Sequence, residues 1–381
     1  MNVQKICIIG DGLAGLSSAL VLSQENIKID LYIGSNFKKL KNDDRTTAIS
    51  ESSYQFIKQR FNIKNFSIFW PSKEIKLFYE DNKIINNFLN FKEKKKNLMY
   101  IFKNKELKQK LNKLIQKKKN IKLIKKNITS INCVDGNILL KKKKFFYDLI
   151  ILSTGIQSKL YNNISEGRTI EKNYKEIALT ATVTHNTKIN RVSQFFLKEG
   201  PLAILPFNKK TFSVVWSVSN IFFQNKIKFL EKTLREKIKI LPTNLKIKKI
   251  NNIESFPINL NLKTRYYKKN VLILGDGLHA VHPMAGQGFN LVLRDIKKLA
   301  ELMRNILQLG LPLKNSFLLN DFYKARKPEN NIMGLGIDLT NIFFKNHKYF
   351  SPIKRTILNK ISKFTFIKKM SQVISDKGLI T

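Results

Sequence analysis

The stretch ICIIGDGLAGLSSALVL, residues 6–22, decides the fold. Val3 to Ile9 is short and apolar, as a buried strand is. Leu13 to Gln24 carries helical spacing, and Ile27 to Ile33 is a second apolar run after Glu25-Asn26. Strand, turn, helix and strand make a βαβ unit. Its turn, GDGLAG, sets Gly10, Gly12 and Gly15 in the G-x-G-x-x-G spacing. Gly10 suits the tight turn, Gly12 the close approach of backbone to a pyrophosphate, and Gly15 the packing of helix on strand. A bare glycine motif is a weak signal. Because this one follows a strand and opens a helix, it predicts dinucleotide binding. A carboxylate that could hold a ribose hydroxyl is expected at the end of the second strand. That strand ends instead at Ile33-Gly34-Ser35, which leaves Asp30, in mid-strand, as the nearest acid.

The remaining composition bounds the class. The 381 residues, 43% of them apolar, can build one large α/β unit or two intertwined domains. A net charge of +43, from 70 basic and 27 acidic residues, invites a nucleic-acid reading. The basic residues are mostly Lys, spread along the chain together with abundant Asn and Ile, whereas a selected phosphate site favours Arg. The pattern reads as compositional bias, and no nucleic-acid site is expected. The field still attracts anionic membrane surfaces and acidic partners. Cys7 and Cys133 have no Cys-x-x-Cys spacing and sit in apolar contexts, so neither a disulfide framework nor a zinc site is expected. Asp11 and three glycines interrupt the apolar N-terminal run, and we expect no targeting segment, no membrane span and a cytoplasmic location.

Further along, residues 100–126 read as a Lys-rich amphipathic helix, Asp135-Gly136 as a hairpin turn, and YDLIILSTG (147–155) as a buried strand ending in a turn. Residues 178–219 alternate apolar and polar, as a β-rich second domain does, with GPLAILPF at 200–207 as loop and strand. NVLILGD (270–276) is another buried strand, and the chain from about residue 310 is helical and basic. That strand runs into GDGLHAVHPMAGQGFNL, residues 275–291, which concentrates glycines with His279 and His282. A metal site, a proton relay, a phosphate cradle, or histidines in a turn that matters for its backbone are the alternatives. His-x-x-His in a strand-to-loop turn is not expected to hold a metal.

Three segments resemble the flavin-binding segments of FAD-dependent aromatic hydroxylases, the para-hydroxybenzoate hydroxylase class. They are GDGLAG, DDRTTAIS at 43–50 and GDGLHAVHPMAGQGFNLVLRD at 275–295. NLMYIFKNKELKQKL at 97–111, GPLAILPF with SVVW at 213–216, and DFYKARKPENNIMGLGIDLTNIFF at 321–344 resemble the ubiquinone-biosynthesis hydroxylases within that class. The resemblance runs nearly end to end. It implies an α/β fold with a Rossmann-like FAD-binding domain, an interleaved β-rich substrate domain and a helical C-terminal tail. The expected division is 1–60, 96–170 and 256–310 for FAD, 61–95 and 171–255 for substrate, and 311–381 for the tail.

The same resemblance implies FAD as cofactor, held by Gly10, Gly12, Gly15, Arg45, Asp276, Gly286, Gln287, Gly288 and Asn290. Arg45 would meet phosphate or ribose oxygens, Asp276 the ribitol hydroxyls, and the backbone N–H groups after Gly286 the flavin pyrimidine edge. His282-Pro283 would shape a loop beside the flavin, and Leu205-Pro206 and Val281 to Met284 would wall the substrate pocket. The implied reaction is ring hydroxylation of a polyprenylated phenol. NADH or NADPH reduces the flavin, dioxygen forms a C4a-hydroperoxide, and the protein supplies orientation and a dry pocket. No catalytic side chain is assigned. Ser153-Thr154-Gly155 stands where the class carries an Asp-Gly pair, and Gly277 and Val292 stand for alanine and glycine. A weakly active or non-catalytic subunit of a quinone-synthesis assembly, and a hydroxylase of a soluble aromatic acid, are the alternative readings. A membrane-dwelling substrate implies peripheral contact with the inner membrane, for which the basic amphipathic stretch Phe343 to Met370 is the candidate.

Overall fold

The structure is a computed structural model that describes residues 3–34, 43–61, 67–140, 143–165, 169–187, 189–314, 317–345, 356–358 and 365–378. The opening stretch forms the strand Gln4–Ile9, the helix Leu13–Leu22 and the strand Ile27–Ile33. Gln4–Ile9 lies in the interior of a six-stranded sheet, paired in parallel with Ile27–Ile33 on one side and Leu149–Leu152 on the other. Ile121–Lys125 continues the sheet beyond Ile27–Ile33, and Val271–Ile273 continues it beyond Leu149–Leu152, both in parallel. The short antiparallel strand Tyr267–Lys268 closes that edge. Parallel strands covered on both faces are apolar throughout, and Ile6, Cys7, Ile8, Ile150, Ile151 and Leu272 are each fully buried. Both cysteines are buried free thiols.

Parallel pairing sends every strand out on the same edge of the sheet, and the connections there are what matter for function. Gly10 to Gly12, Gly34, Lys126 to Thr129, Ser153 to Gly155 and Gly275 to Asp276 all emerge on it.

An eight-stranded sheet forms the other large layer. The 17-residue strands Thr169–His185 and Ile247–Lys263 pair along their length. Thr211–Ser219, Gly200–Pro206 and Val192–Leu197 follow antiparallel, and Glu74–Asp81 with Ile84–Lys92 completes the sheet. The alternation read at 178–219 is therefore borne out as strands. Its other edge is the two-residue strand His279–Ala280, where Leu262 pairs with His279. That pairing stitches the segment leaving the first sheet directly onto the second.

The helix expected over 100–126 is a correction. The segment is a strand Met99–Lys103, a helix Asn104–Ile115 and a strand Ile121–Lys125. Leu107, Leu111 and Ile115 form the helix's buried stripe, at i, i+4 and i+8. The residues on either side gain more from sheet pairing: Met99–Lys103 is the centre of a three-stranded sheet with Thr46–Ser50 and Trp70–Ser72. Lys residues masked the change of period, because they suit the exposed side of a helix and of a strand alike. Toward the C-terminus the described residues form the helices Gln287–Gln308, Leu318–Lys345 and Thr365–Lys377. Much of the stretch 343–370 proposed as amphipathic lies outside the described residues.

Candidate functional site

The strand-exit edge of the parallel sheet, the second sheet and the Gln287 helix enclose a cleft of about 1930 Å³. Sites for drug-sized molecules are roughly 300–1,000 Å³. The cleft has room for an extended dinucleotide and a second ring. Gly10, Gly12, Arg45, Asp276, Gly286, Gln287, Gly288, Asn290, His282 and Pro283 all line it, although they come from separate parts of the chain.

Gly15 does not line the cleft, and its part is packing: a Cβ there would lie 2.3 Å from the Gly10 carbonyl oxygen. At Gly10 the backbone has φ +137° and a Cβ would lie 2.1 Å from the Ser153 carbonyl oxygen, so no larger residue fits the turn. Gly12 is the opposite case. A Cβ there would meet nothing within 4 Å, so its backbone faces open cleft. It caps the Leu13–Leu22 helix without any side-chain cap, which leaves the first-turn N–H groups for an anionic ligand.

Arg45 is held by Asp43 through Nε at 2.7 Å and a terminal nitrogen at 2.8 Å, and its guanidinium lies 4.8 Å from the centre of the Phe256 ring. The hydrogen bonds it donates to Asp43 raise its already high pKa, so it is a fixed cation. Asp276 lies in a turn past the end of the Val271–Ile273 strand. Its carboxylate touches cleft solvent but is ringed by protein, and that burial raises its pKa despite His279 and Arg45 nearby. It is an acceptor awaiting donors.

At the far end Gly286 adopts φ +62° against Ala48, and opens the Gln287–Gln308 helix with no side-chain cap. Asn290 fixes this corner, accepting from the Ser50 N–H at 2.9 Å and donating to the Gly286 carbonyl at 2.9 Å. Among the described residues the buried Gln287 Oε1 has no partner. An orphaned acceptor beside an uncapped helix N-terminus fits a flat heterocycle with alternating donors and acceptors. With the Gly12 turn, Arg45 and Asp276 between, this donor set fits FAD.

The two histidines do have acids, supplied by distant residues. His279 Nε2 is 2.6 Å from Asp295 Oδ2, and His282 Nε2 is 3.0 Å from Glu176 Oε2. All four side chains are buried, and among the described residues no group of three His, Cys, Asp or Glu could hold a metal. Glu176 also pairs with Lys345. Burial opposes ionisation of Glu176, but its bonds to His282 and Lys345 outweigh it and the pKa falls. These pairs tie the loop to the Gln287–Gln308 helix through Asp295 and to the Thr169–His185 strand through Glu176.

Sequence reasoning missed the ion network behind the loop. Asp295 accepts from Arg326 Nε at 2.6 Å, and Arg326 pairs with Glu329. Glu329 also pairs with Arg294 at 3.3 Å, whose other end donates to the Ser375 carbonyl at 2.9 Å. Arg294-Asp295 and Arg326 with Glu329, charged residues on helix faces that are otherwise buried, were the available signal. Asp30 is a second correction. It is 5% exposed and takes the Tyr147 hydroxyl at 2.7 Å and Lys5 Nζ at 2.7 Å, so it does not reach the cleft.

The cleft changes character along its length. Lys105, Lys108, Lys126, Asn127 and Lys159 line it near the glycine turn. Between the second sheet and the Leu318–Lys345 helix its walls are Leu205, Ile258, Phe88, Phe196, Phe343 and Phe344. Phe196 and Phe344 stack at 3.6 Å and 11°. Val281 also lines the cleft, while Met284 is buried against this aromatic group.

Residues 153–309 match the FAD binding domain family. The chain is 24% identical to a mitochondrial ubiquinone biosynthesis monooxygenase of Dictyostelium discoideum, over 84% of this chain and 80% of that one. It is 28% identical to the ubiquinone hydroxylase of Rhodospirillum rubrum, over 43% of this chain and 38% of that one. The match to the corresponding Xenopus tropicalis monooxygenase, at 28% identity, spans 35% of this chain and 37% of the relative's length. Among solved structures, p-nitrophenol 4-monooxygenase of Pseudomonas putida superposes with a TM-score of 0.77 at 13% identity, covering 97% of each chain. A probable FAD-dependent monooxygenase of Pseudomonas aeruginosa does so at 0.74 and 14%, covering 93% of this chain and 100% of that one. Those two likenesses establish the fold.

Proposed function

We propose that this chain, an FAD-dependent enzyme of the aromatic-ring monooxygenase class, hydroxylates the ring of a polyprenylated phenol in ubiquinone synthesis. NADH or NADPH is the electron donor and dioxygen the co-substrate. The observation that carries the substrate is the division of the cleft, since one continuous space joins a polar nucleotide end to an apolar aromatic end. A phenol ring with a long hydrocarbon tail matches the apolar end, and the relatives named for ubiquinone synthesis point to the same substrate.

Bound FAD supplies the oxygen-transfer chemistry, and the residues of the chain do the rest. Segments 1–60, 96–170 and 256–310 bind the cofactor: Gly10 and Gly12 take the pyrophosphate, Arg45 adds positive charge and Asp276 accepts ribitol hydroxyls. The N–H groups of Gln287 and Gly288, at an uncapped helix start, would meet the cofactor's pyrimidine ring, and the helix N-terminus would stabilise negative charge there by about 0.3–2 kcal/mol. Segments 61–95 and 171–255 hold the substrate; Leu205 excludes water from the reacting ring, and Phe196 and Phe344 line the branch for the hydrocarbon tail. Phe343, Phe344 and Leu358 close the apolar end.

A polyprenyl tail dwells in a bilayer, so the enzyme works at a membrane surface. Among the described residues no helix is long and apolar enough to cross one. The charge of +43 draws the protein to anionic lipid. The purified protein reconstituted with FAD should show flavin absorbance, and a prenylated phenol should stimulate its NAD(P)H oxidation and gain one ring hydroxyl by mass. Flavin binding without such stimulation would reject the substrate, and failure to bind FAD would reject the enzyme.

A further inference from the structure

A dinucleotide turn ordinarily pairs its glycines with an acid that holds the ribose hydroxyls. Among the described residues the acids nearest the turn are already engaged or turned away from the strand end. Between Leu31 and Asn42 the sequence contains no Asp or Glu. Ile33, at the end of its strand, is 1% exposed, and Asp30 is bonded to Tyr147 and Lys5 beneath the sheet. Asp11, in the turn itself, is paired with Lys108 at 3.1 Å. Asp43 is bound by Arg45 and Asn104.

The neighbouring strand supplies a substitute. Ile121–Lys125 runs parallel to Ile27–Ile33, with Ile33 opposite Lys125, so the two strands leave the sheet side by side. Asn127 follows, and a Cβ at Gly34 would lie 3.2 Å from its Oδ1. Its side chain therefore stands at the mouth of the strand where the acid is missing. Gly34 and Asn127 both line the cleft with Gly10 and Gly12. An amide has one acceptor and two donors, which suits a vicinal diol as well as a carboxylate does, without charge.

We propose that Asn127 is the ribose-binding residue, holding the 2′- and 3′-hydroxyls of the adenosine half of the cofactor. The assignment rests on the FAD reading above. It gives the sheet edge a neutral ribose site flanked by Lys105, Lys108 and Lys126 in place of an acidic one.

The test is displacement of FAD from the reconstituted protein, read by flavin fluorescence, with ADP and its 2′-deoxy and 3′-deoxy forms as probes. Wild type should bind ADP about tenfold more tightly than at least one deoxy form, the worth of one or two neutral hydrogen bonds. Asn127→Ala should lose about that factor for ADP and bind all three probes alike. Asn127→Asp keeps an acceptor and should retain the discrimination. Discrimination that survives in Asn127→Ala, or is absent from wild type, overturns the assignment. Failure of wild type to bind FAD at all would instead overturn the flavin reading. Because Asn127 is exposed, both variants should fold as wild type does.

Discussion

Tyr161 and Gly277 share one volume: a Cβ built at Gly277 would lie 2.2 Å from the Tyr161 hydroxyl oxygen and 2.3 Å from its Cζ. The same hydroxyl is 3.0 Å from Thr154 Oγ1 and accepts from the Thr154 N–H at 3.1 Å. Two departures from the class pattern, Thr154 for Asp and Gly277 for Ala, are therefore one change bridged by a buried tyrosine. Gly277→Ala should cost about 1–3 kcal/mol, because the methyl group meets a ring that is 2% exposed. Tyr161→Leu shortens the side chain, so the double variant should be less destabilised than the sum of the two single changes. Urea midpoints of the four proteins measure this coupling, and strict additivity would refute the shared volume.

The Asp295 carboxylate should be a stability determinant with a defined pH window. Burial alone would raise its pKa, but Arg326 and His279 outweigh burial and lower it. Glu176 is lowered in the same sense by His282 and Lys345. A carboxylate depressed in the folded state stabilises fully above its unfolded value, near 4, and loses that contribution as pH falls through the folded value. Urea midpoints should thus drop as pH goes from about 5 to below 4. Asp295→Ala should cost about 3–5 kcal/mol at neutral pH by leaving Arg326 buried without its partner. A variant as stable as wild type would mean that the network contributes nothing.

The glycine turn, both edges of the first βαβ unit and the second sheet's strands within 178–219 were legible because each rests on local pattern. Gly10 and Gly12 could be picked out for the same reason, Asp276 and Gly286 through the resemblance to the flavin-binding segments, and all four line one cleft. The partners of His279 and His282 could not, since Glu176 lies 106 residues from His282 and Asp295 sits on the helix after the loop, 16 residues from His279, where no local pattern marks the pairing. Asp30 misled because the acid type was right while strand alternation turned it under the sheet. Lys at nearly every polar position hid the boundary between the Asn104–Ile115 helix and its flanking strands.

Flavin affinity should fall on acidification through Asp276. Its pKa is raised by burial, and its ionised form is the better acceptor for ribitol hydroxyls. The dissociation constant for FAD should therefore rise as pH drops through that elevated value, and the rise should vanish in Asp276→Asn. Fluorescence titrations between pH 4 and 7 would decide it. An identical slope in wild type and variant would assign the effect elsewhere.

The aromatic end of the cleft gives the sharpest separation of substrate from cofactor. Phe344 stacks on Phe196 and lies 5.7 Å from Phe88, so all three rings wall the same apolar branch. Phe344→Ala removes a large apolar contact and widens that branch, with a penalty that grows with the length of hydrocarbon it holds. KM for a phenol with a long prenyl tail should rise about tenfold, while a phenol carrying one prenyl unit shifts much less and FAD affinity stays as in wild type. The flavin end is untouched because Gly12 and Asp276 lie at the strand-exit edge of the six-stranded sheet and Arg45 at the start of the Thr46–Ser50 strand. Equal changes in KM for both phenols would place the tail elsewhere, and a loss of FAD affinity would mean that the two ends of the cleft are not independent.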